Sequence, residues 1–90
     1  MIFKESTRKD KRLMVIFANG RIIHFGLRGA KTYIDEGDKA KREAYIARHK
    51  VREDFDNPYT AGALSRWLLW GDSTDFEKNH KAFMKKFNVN

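Results

Sequence analysis

Asn57-Pro58-Tyr59-Thr60-Ala61-Gly62-Ala63-Leu64-Ser65-Arg66-Trp67-Leu68-Leu69-Trp70-Gly71 is the stretch on which the fold turns. It holds the only proline and both tryptophans of the chain. Pro58 fits the first turn of a helix, where its missing N–H costs nothing, with Asn57 or Thr60 as the cap. Gly71 fits the position just past the helix end, where a left-handed conformation is wanted. Leu64, Trp67, Leu68, Leu69 and Trp70 lie between them, and a helix this apolar must be buried on most sides. Ala61, Gly62, Ala63 and Ser65 are small enough to let another backbone approach. Gly62 costs roughly 1 kcal/mol against alanine in a helix interior, so close packing is the natural reason for it. The stretch predicts a central helix over 59–70, with Trp67, Leu68 and Trp70 as core or dimer residues. Arg66 stands inside this apolar run. An ion pair with Asp54 or Asp56 is favoured for it over a place in a binding groove.

The segments on either side read as capped helices. Asp38 caps a helix running to about Arg52, in which Ala40, Ala44, Ala47 and Val51 form a narrow stripe of small residues. The rest of that helix is basic, with Lys39, Lys41, Arg42, Arg48, Lys50 and Arg52 against Asp38 and Glu43. Lys41, Tyr45, Arg48 and Arg52 share one stripe by their spacing. An acidic linker, Glu53-Asp54-Phe55-Asp56-Asn57, follows and favours the positive end of the central helix dipole. Beyond Gly71, Thr74 and Glu77 have capping-box spacing. Phe76, His80, Phe83, Met84 and Phe87 then make one face of an amphipathic helix over 74–87.

The N-terminal half is β-rich. Leu13-Met14-Val15-Ile16-Phe17-Ala18 and Arg21-Ile22-Ile23-His24-Phe25 flank Asn19-Gly20, which signals a hairpin with a two-residue turn. That turn pairs Phe17 with Ile22 and Val15 with His24. Val15, Phe17, Ile22 and His24 then share one face, and Met14, Ile16, Ile23 and Phe25 the other. Both faces are apolar, so one is expected against helices and the other against a further layer or a partner. Thr32-Tyr33-Ile34 can add a short third strand. Residues 1–12 read as a first strand into a basic loop or as a loose basic arm, with the solvated loop favoured. The expected fold is α+β: an N-terminal antiparallel hairpin packed on three helices, as one domain over residues 1–90.

The net charge is +7 over 90 residues, with a sequence pI of 9.9. A small basic domain suits nucleic acid or an acidic partner. There is no cysteine, so neither disulfides nor thiolate metal sites contribute. No apolar run reaches the ~20 residues of a membrane helix, and no apolar segment follows the first basic residues as in a signal peptide. A soluble intracellular protein is expected, with no membrane partner and no evident small-molecule substrate. His24, His49 and His80 fall in separate elements without metal-ligand spacing, and read as packing residues. Asp54-Phe55-Asp56-Asn57 lacks the glycine and distant glutamate of a calcium loop. Glu53, Asp54, Asp56 and His49 could assemble a nuclease-like set, but such sets arise by chance in any charged chain. No metal, cofactor or catalytic residue is assigned.

The run Arg48-His49-Lys50-Val51-Arg52-Glu53-Asp54-Phe55-Asp56-Asn57-Pro58, followed by Thr60 to Trp70, resembles a family of small, mostly uncharacterised proteins of nucleocytoplasmic large DNA viruses. A strand, Asn19-Gly20 and a strand ending His24-Phe25-Gly26 are similar too, so the likeness covers roughly residues 13–71. It implies a viral protein of an infected eukaryotic cell, in cytoplasm or nucleus, that can be packed in the virion. It carries over no catalytic residue.

Charge and helix spacing point to a non-enzymatic protein binding double-stranded DNA by its phosphates. The contacts are assigned to Lys41, Arg42, Tyr45, Arg48, His49, Lys50 and Arg52. Basic residues with an interleaved aromatic suit phosphate contact and stacking, and no recognition-helix pattern specifies a sequence. The alternative is a dimeric structural or interaction module, with a small nuclease a distant third. A homodimer is expected in any case, because two apolar hairpin faces and an apolar helix exceed what one small domain covers.

Overall fold

A computed structural model describes all 90 residues, in an α+β arrangement. Strands β1 (Ile2–Glu5), β2 (Lys11–Ile16) and β3 (Ile22–Leu27) form an antiparallel sheet in the order β1-β2-β3. Helices α1 (Tyr33–Glu36) and α2 (Lys39–His49) follow. The central helix starts as α3 (Ala61–Leu64), continues as a π-helical turn over Ser65–Leu69, and is followed by α4 (Phe76–Phe87).

The third strand is β1, not residues 32–34. Thr32-Tyr33-Ile34 instead opens α1, because the Asp35 carboxylate accepts hydrogen bonds from Thr32 N at 2.8 Å and from its hydroxyl at 2.9 Å. The same carboxylate takes a bidentate grip from Arg12 at 2.8 and 2.9 Å. That guanidinium, first among several hydrogen bonds, holds Asp35 well below the usual carboxylate range. Residues 6–10 are a loop, but not a loose arm. Arg28 reaches across to donate to the carbonyls of Ser6, Arg8 and Lys9, and pairs with Glu5 at 2.8 Å.

The hairpin register differs by one residue from the two-residue turn. A type I′ turn needs positive φ at both central residues. Only Gly20 has it, at 90°. The loop is therefore Ala18-Asn19-Gly20, closed by Phe17 N donating to Arg21 O and Gly20 N donating to Phe17 O, both at 2.9 Å. Asn19 Oδ1 accepts from Arg21 N at 3.0 Å. A slip of one residue moves a strand's side chains to the other face. Phe3, Val15 and Ile23 now form one row across the sheet and Leu13 and Phe25 the next. Val15 and Phe25 are wholly buried. The opposite face carries Ile2-Ile16-Ile22 and Lys4-Met14-His24. No helix covers it, and Ile2 and Ile22 are 58 % and 53 % exposed.

The central helix packs on the inner face of the sheet. Leu64, Leu68, Leu69 and Trp70 join Val15, Phe17, Phe25, Tyr33 and Phe83 in one core. The helix is capped by Thr60, whose hydroxyl accepts from Ala63 N at 3.1 Å. Pro58 lies in the preceding turn, where Asn57 Oδ1 accepts from Tyr59 N. The π turn is closed by Trp70 N donating to Ser65 O at 3.0 Å, five residues back. This widening lets the successive residues Leu68, Leu69 and Trp70 all be buried. Trp67, expected to be buried, is only half-buried. Its indole donates to Phe55 O at 2.7 Å, and Arg66 and Lys86 lie against its ring. Gly71 does not take the left-handed conformation expected of it. It is required for space, since a Cβ there would meet the Trp67 carbonyl and the Asn79 amide.

Asn79 of α4 ties the end of the central helix. Its amide donates to Leu68 O at 3.1 Å and Ser73 O at 2.7 Å, and its Oδ1 accepts from Ser73 N at 3.1 Å. The cap of α4 is Asp75 rather than Thr74, with Asp75 Oδ1 accepting from Glu77 N at 2.9 Å. No helix is long and apolar enough to cross a membrane.

Candidate nucleic-acid interface

Helix α2 begins where Asp38 Oδ1 accepts from Lys41 N at 3.1 Å. It ends at His49, short of the expected Arg52. Its packing face is not the alanine stripe. Ala40, Ala44, Ala47 and Val51 are exposed, and Arg42, Tyr45, Ile46 and His49 turn inward. A methyl group offers little apolar area, while these longer side chains reach the neighbouring element. The inward face therefore takes three of the residues assigned to DNA.

Arg42 is one of them and is structural. Its Nε donates to Trp70 O at 3.1 Å and Gly71 O at 2.8 Å, and its Nη2 pairs with Asp72 at 2.7 Å. Arg66 donates to the same Trp70 carbonyl at 3.0 Å, so it pairs with neither Asp54 nor Asp56. Two guanidiniums thus cap the carbonyl end of the central helix, where the dipole favours cations. Burial, and next the charge of Arg42, lower the Arg66 pKa.

Tyr45 is the second. Its ring lies 4.4 Å from Trp70 at 7° and 4.1 Å from His49 at 26°. Two near-parallel partners at such distances occupy both faces of the phenol, so it cannot itself stack on a base. Burial first, and then the Glu53 charge, push its pKa up to about 12.

The outer part of α2 nevertheless borders a cavity of about 500 Å³. Lys41, Tyr45, Arg48 and His49 line it, so four of the seven assigned residues are brought together. Lys11 from β2 and Lys31 from the loop before α1 join them. Lys41 is neutralised by Glu36 at 2.8 Å. Lys11, Lys31 and Arg48 have no carboxylate within salt-bridge distance. Lys50 and Arg52 lie past the helix end, exposed and unpaired, and do not line the cavity.

Glu53 supplies the one carboxylate of the cavity wall. Its Oε1 stands 3.6 Å from His49 Nδ1, while Oε2 is buried without a hydrogen-bond partner. Gly62 makes room for it, since a Cβ there would sit 2.6 Å from the Glu53 carboxyl carbon. This, rather than backbone approach, is what the glycine admits. Asp54 and Asp56 are exposed, and Asp54 folds back to accept from Asp56 N at 2.9 Å. No three His, Asp or Glu side chains converge as a metal site would require. Lys11, Lys31 and Glu53 went unassigned because nothing local marks them. They meet α2 only through the tertiary fold.

Residues 1–49 match the model of a family described as a family of unknown function, DUF5754. The chain belongs to that family. The DUF5754 segment spans the sheet, α1 and α2, and so contributes every cation of the cavity wall. Glu53, Gly62 and Trp70 come from outside it. No curated protein and no solved structure matches the chain.

Proposed function

We propose that this DUF5754 protein is a non-enzymatic binder of double-stranded DNA, acting through phosphate contacts with little reading of sequence. The observation that carries this is the grouping of cations without carboxylate partners. Lys11, Lys31 and Arg48 come from three separate elements and border one concavity. By contrast Arg12, Arg28, Lys41 and Arg42 are neutralised by Asp35, Glu5, Glu36 and Asp72. Cations on one face that are not held in ion pairs attract a polyanion. Lys50 and Arg52 extend the basic surface beyond α2. On this reading the protein works beside a viral genome, in the infected cell or the particle, as the likeness noted in the sequence implies.

Each phosphate neutralised releases counterions, so affinity falls with salt by about 0.9 log unit per log unit for each contact. Filter binding of random duplexes at several salt concentrations tests this. Arg48→Ala with Arg52→Ala is expected to weaken every duplex alike and to flatten the slope by roughly two units. Lys85→Ala with Lys86→Ala, on α4, is expected to change it less. Retention that ignores salt, or none at low salt, removes the reading.

One observation favours a second reading, a homodimer. Trp67, Leu68 and Trp70 serve the core of a single chain, but the Ile2-Ile16-Ile22 row stands uncovered. Pairing of two such faces would bury it. Light scattering is expected to give twice the chain mass for the parent and the single mass for Ile22→Glu. A single mass for the parent at high concentration removes the dimer.

A further inference from the structure

We propose that the cavity beside α2 binds a small, water-soluble amphipathic acid, with its anionic head among Lys11, Lys31 and Arg48 and its apolar body against Leu27, Ala30 and Leu69. The cations are shared with the DNA reading. The apolar part of the site is not, since the phosphates of a duplex make no use of it.

The cavity forms where the sheet ends. Lys11 pairs with Leu27 in the last row of β2 and β3. Gly26, one residue earlier, lies so close to the central helix that a Cβ there would sit 2.9 Å from Leu69 Cδ1. Ala30 and Lys31 then lead towards α1, and α2 adds Lys41, Tyr45 and Arg48 to the wall. The space is about 500 Å³, within the ~300–1,000 Å³ of ordinary ligand pockets.

The wall is divided by polarity. Leu69 and Trp70 bring the core to its surface, and Ala30 and Ala61 add small apolar patches. Leu27 also borders the cavity and is 64 % exposed. The other exposed strand residues, Ile2 and Ile22, sit together on the uncovered sheet face, in a row that does not include Leu27. An apolar body in the cavity would cover Leu27, and the gain grows with the area removed from water.

The charges are of one sign where a head would lie. Lys11, Lys31 and Arg48 come from three elements and have no carboxylate within salt-bridge distance. They can make charge-assisted hydrogen bonds to a carboxylate. Lys41 is held by Glu36. Glu53 is the one acid of the wall, and it lies beside Gly62 and His49 rather than with Lys11 and Lys31 at the sheet end. A bare anion leaves the apolar wall uncovered, and a neutral apolar molecule leaves the cations without a partner. The two together select an amphipathic acid.

The full chain is titrated by calorimetry with three probes. Decanoate is used below its micellar range. Decylammonium has the same chain and the opposite charge, and acetate has the head alone. Decanoate is expected to bind saturably and at least about tenfold more tightly than either control. Leu27→Gln, and separately Lys31→Gln with Arg48→Gln, are each expected to weaken decanoate about fivefold or more. All three residues are exposed, so these variants should fold as the parent does, which thermal melts check. Leu27→Gln is also expected to leave salt-dependent duplex retention intact. No saturable uptake of decanoate overturns the proposal, and the duplex reading then stands or falls by its own assay. Equal uptake of decylammonium overturns the role of the cations, and equal uptake of acetate that of the apolar wall. Unchanged uptake in both variants overturns the placement in this cavity. Decanoate uptake without duplex retention supports the site and removes the duplex reading.

Discussion

Phe25→Ala is expected to cost about 3–5 kcal/mol of folding stability, as truncation of a buried aromatic does. The Phe25 side chain is fully buried, with Phe3 edge-on at 6.3 Å and the central helix beyond it. A domain of this size is stable by only about 5–15 kcal/mol, so the melting temperature should fall by roughly 15–30 °C. Ile22→Ala is the matched control. Ile22 lies on the same strand but on the uncovered face, 53 % exposed in the single chain, and at concentrations where the chain is a monomer its loss should stay within about 1 kcal/mol. The pair of variants therefore tests the three-residue hairpin loop. The two-residue turn would have put Ile22 beside Val15 and Phe17 and reversed the order. Equal losses in thermal melts would contradict the register.

Asn79→Ala is expected to cost about 3 kcal/mol, through lost hydrogen bonds rather than lost volume. The Asn79 side chain satisfies Leu68 O, Ser73 O and Ser73 N, and it is nearly inaccessible to solvent. Each buried polar group left without a partner costs about 1–3 kcal/mol. Asn79→Asp separates the parts played by the amide. The carboxylate can still accept from Ser73 N, but it faces two carbonyl oxygens with no proton to offer. It should be at least as damaging as alanine at neutral pH. Protonation restores a donor, so the gap to the parent should narrow as pH falls through the acid range. Denaturant melts at neutral and acid pH would check both statements. A loss below about 1 kcal/mol for the alanine variant would show that the joint can do without the amide.

The central helix was legible because its signals are local. Thr60 caps it and the leucines and tryptophans demand burial, whatever the partner. The π turn was not legible, since Leu64, Leu68, Leu69 and Trp70 suit a four- or a five-residue step. Asn79 was invisible for a related reason. An asparagine among lysines on an amphipathic helix reads as solvent-facing, and only the approach of Leu68 and Ser73 makes it a staple. The hairpin was plain from Asn19-Gly20, but its register hung on the φ of one asparagine, which composition does not fix. Of the stripe Lys41, Tyr45, Arg48 and Arg52, the first three border one cavity, while Arg52 lies beyond the helix end and does not. The roles of Arg42 and Tyr45 went to the core because carbonyls and a tryptophan from the far half of the chain reach them. Glu53 read as one more acid of a capping linker; its buried oxygen depends on Gly62, nine positions later in sequence.

The parallel Tyr45–Trp70 pair, 4.4 Å apart and inclined by 7°, has an optical consequence. Two chromophores held so close, with their ring planes nearly parallel, couple their transitions, which gives a near-ultraviolet circular dichroism band that mobile rings do not. Tyr45 belongs to the DUF5754 segment and Trp70 to the remainder of the chain. The band therefore reports the docking of one half on the other. It would vanish in a compact form that kept its helices but lost fixed packing, and so would distinguish a variant that loosens the core from one that unfolds the chain.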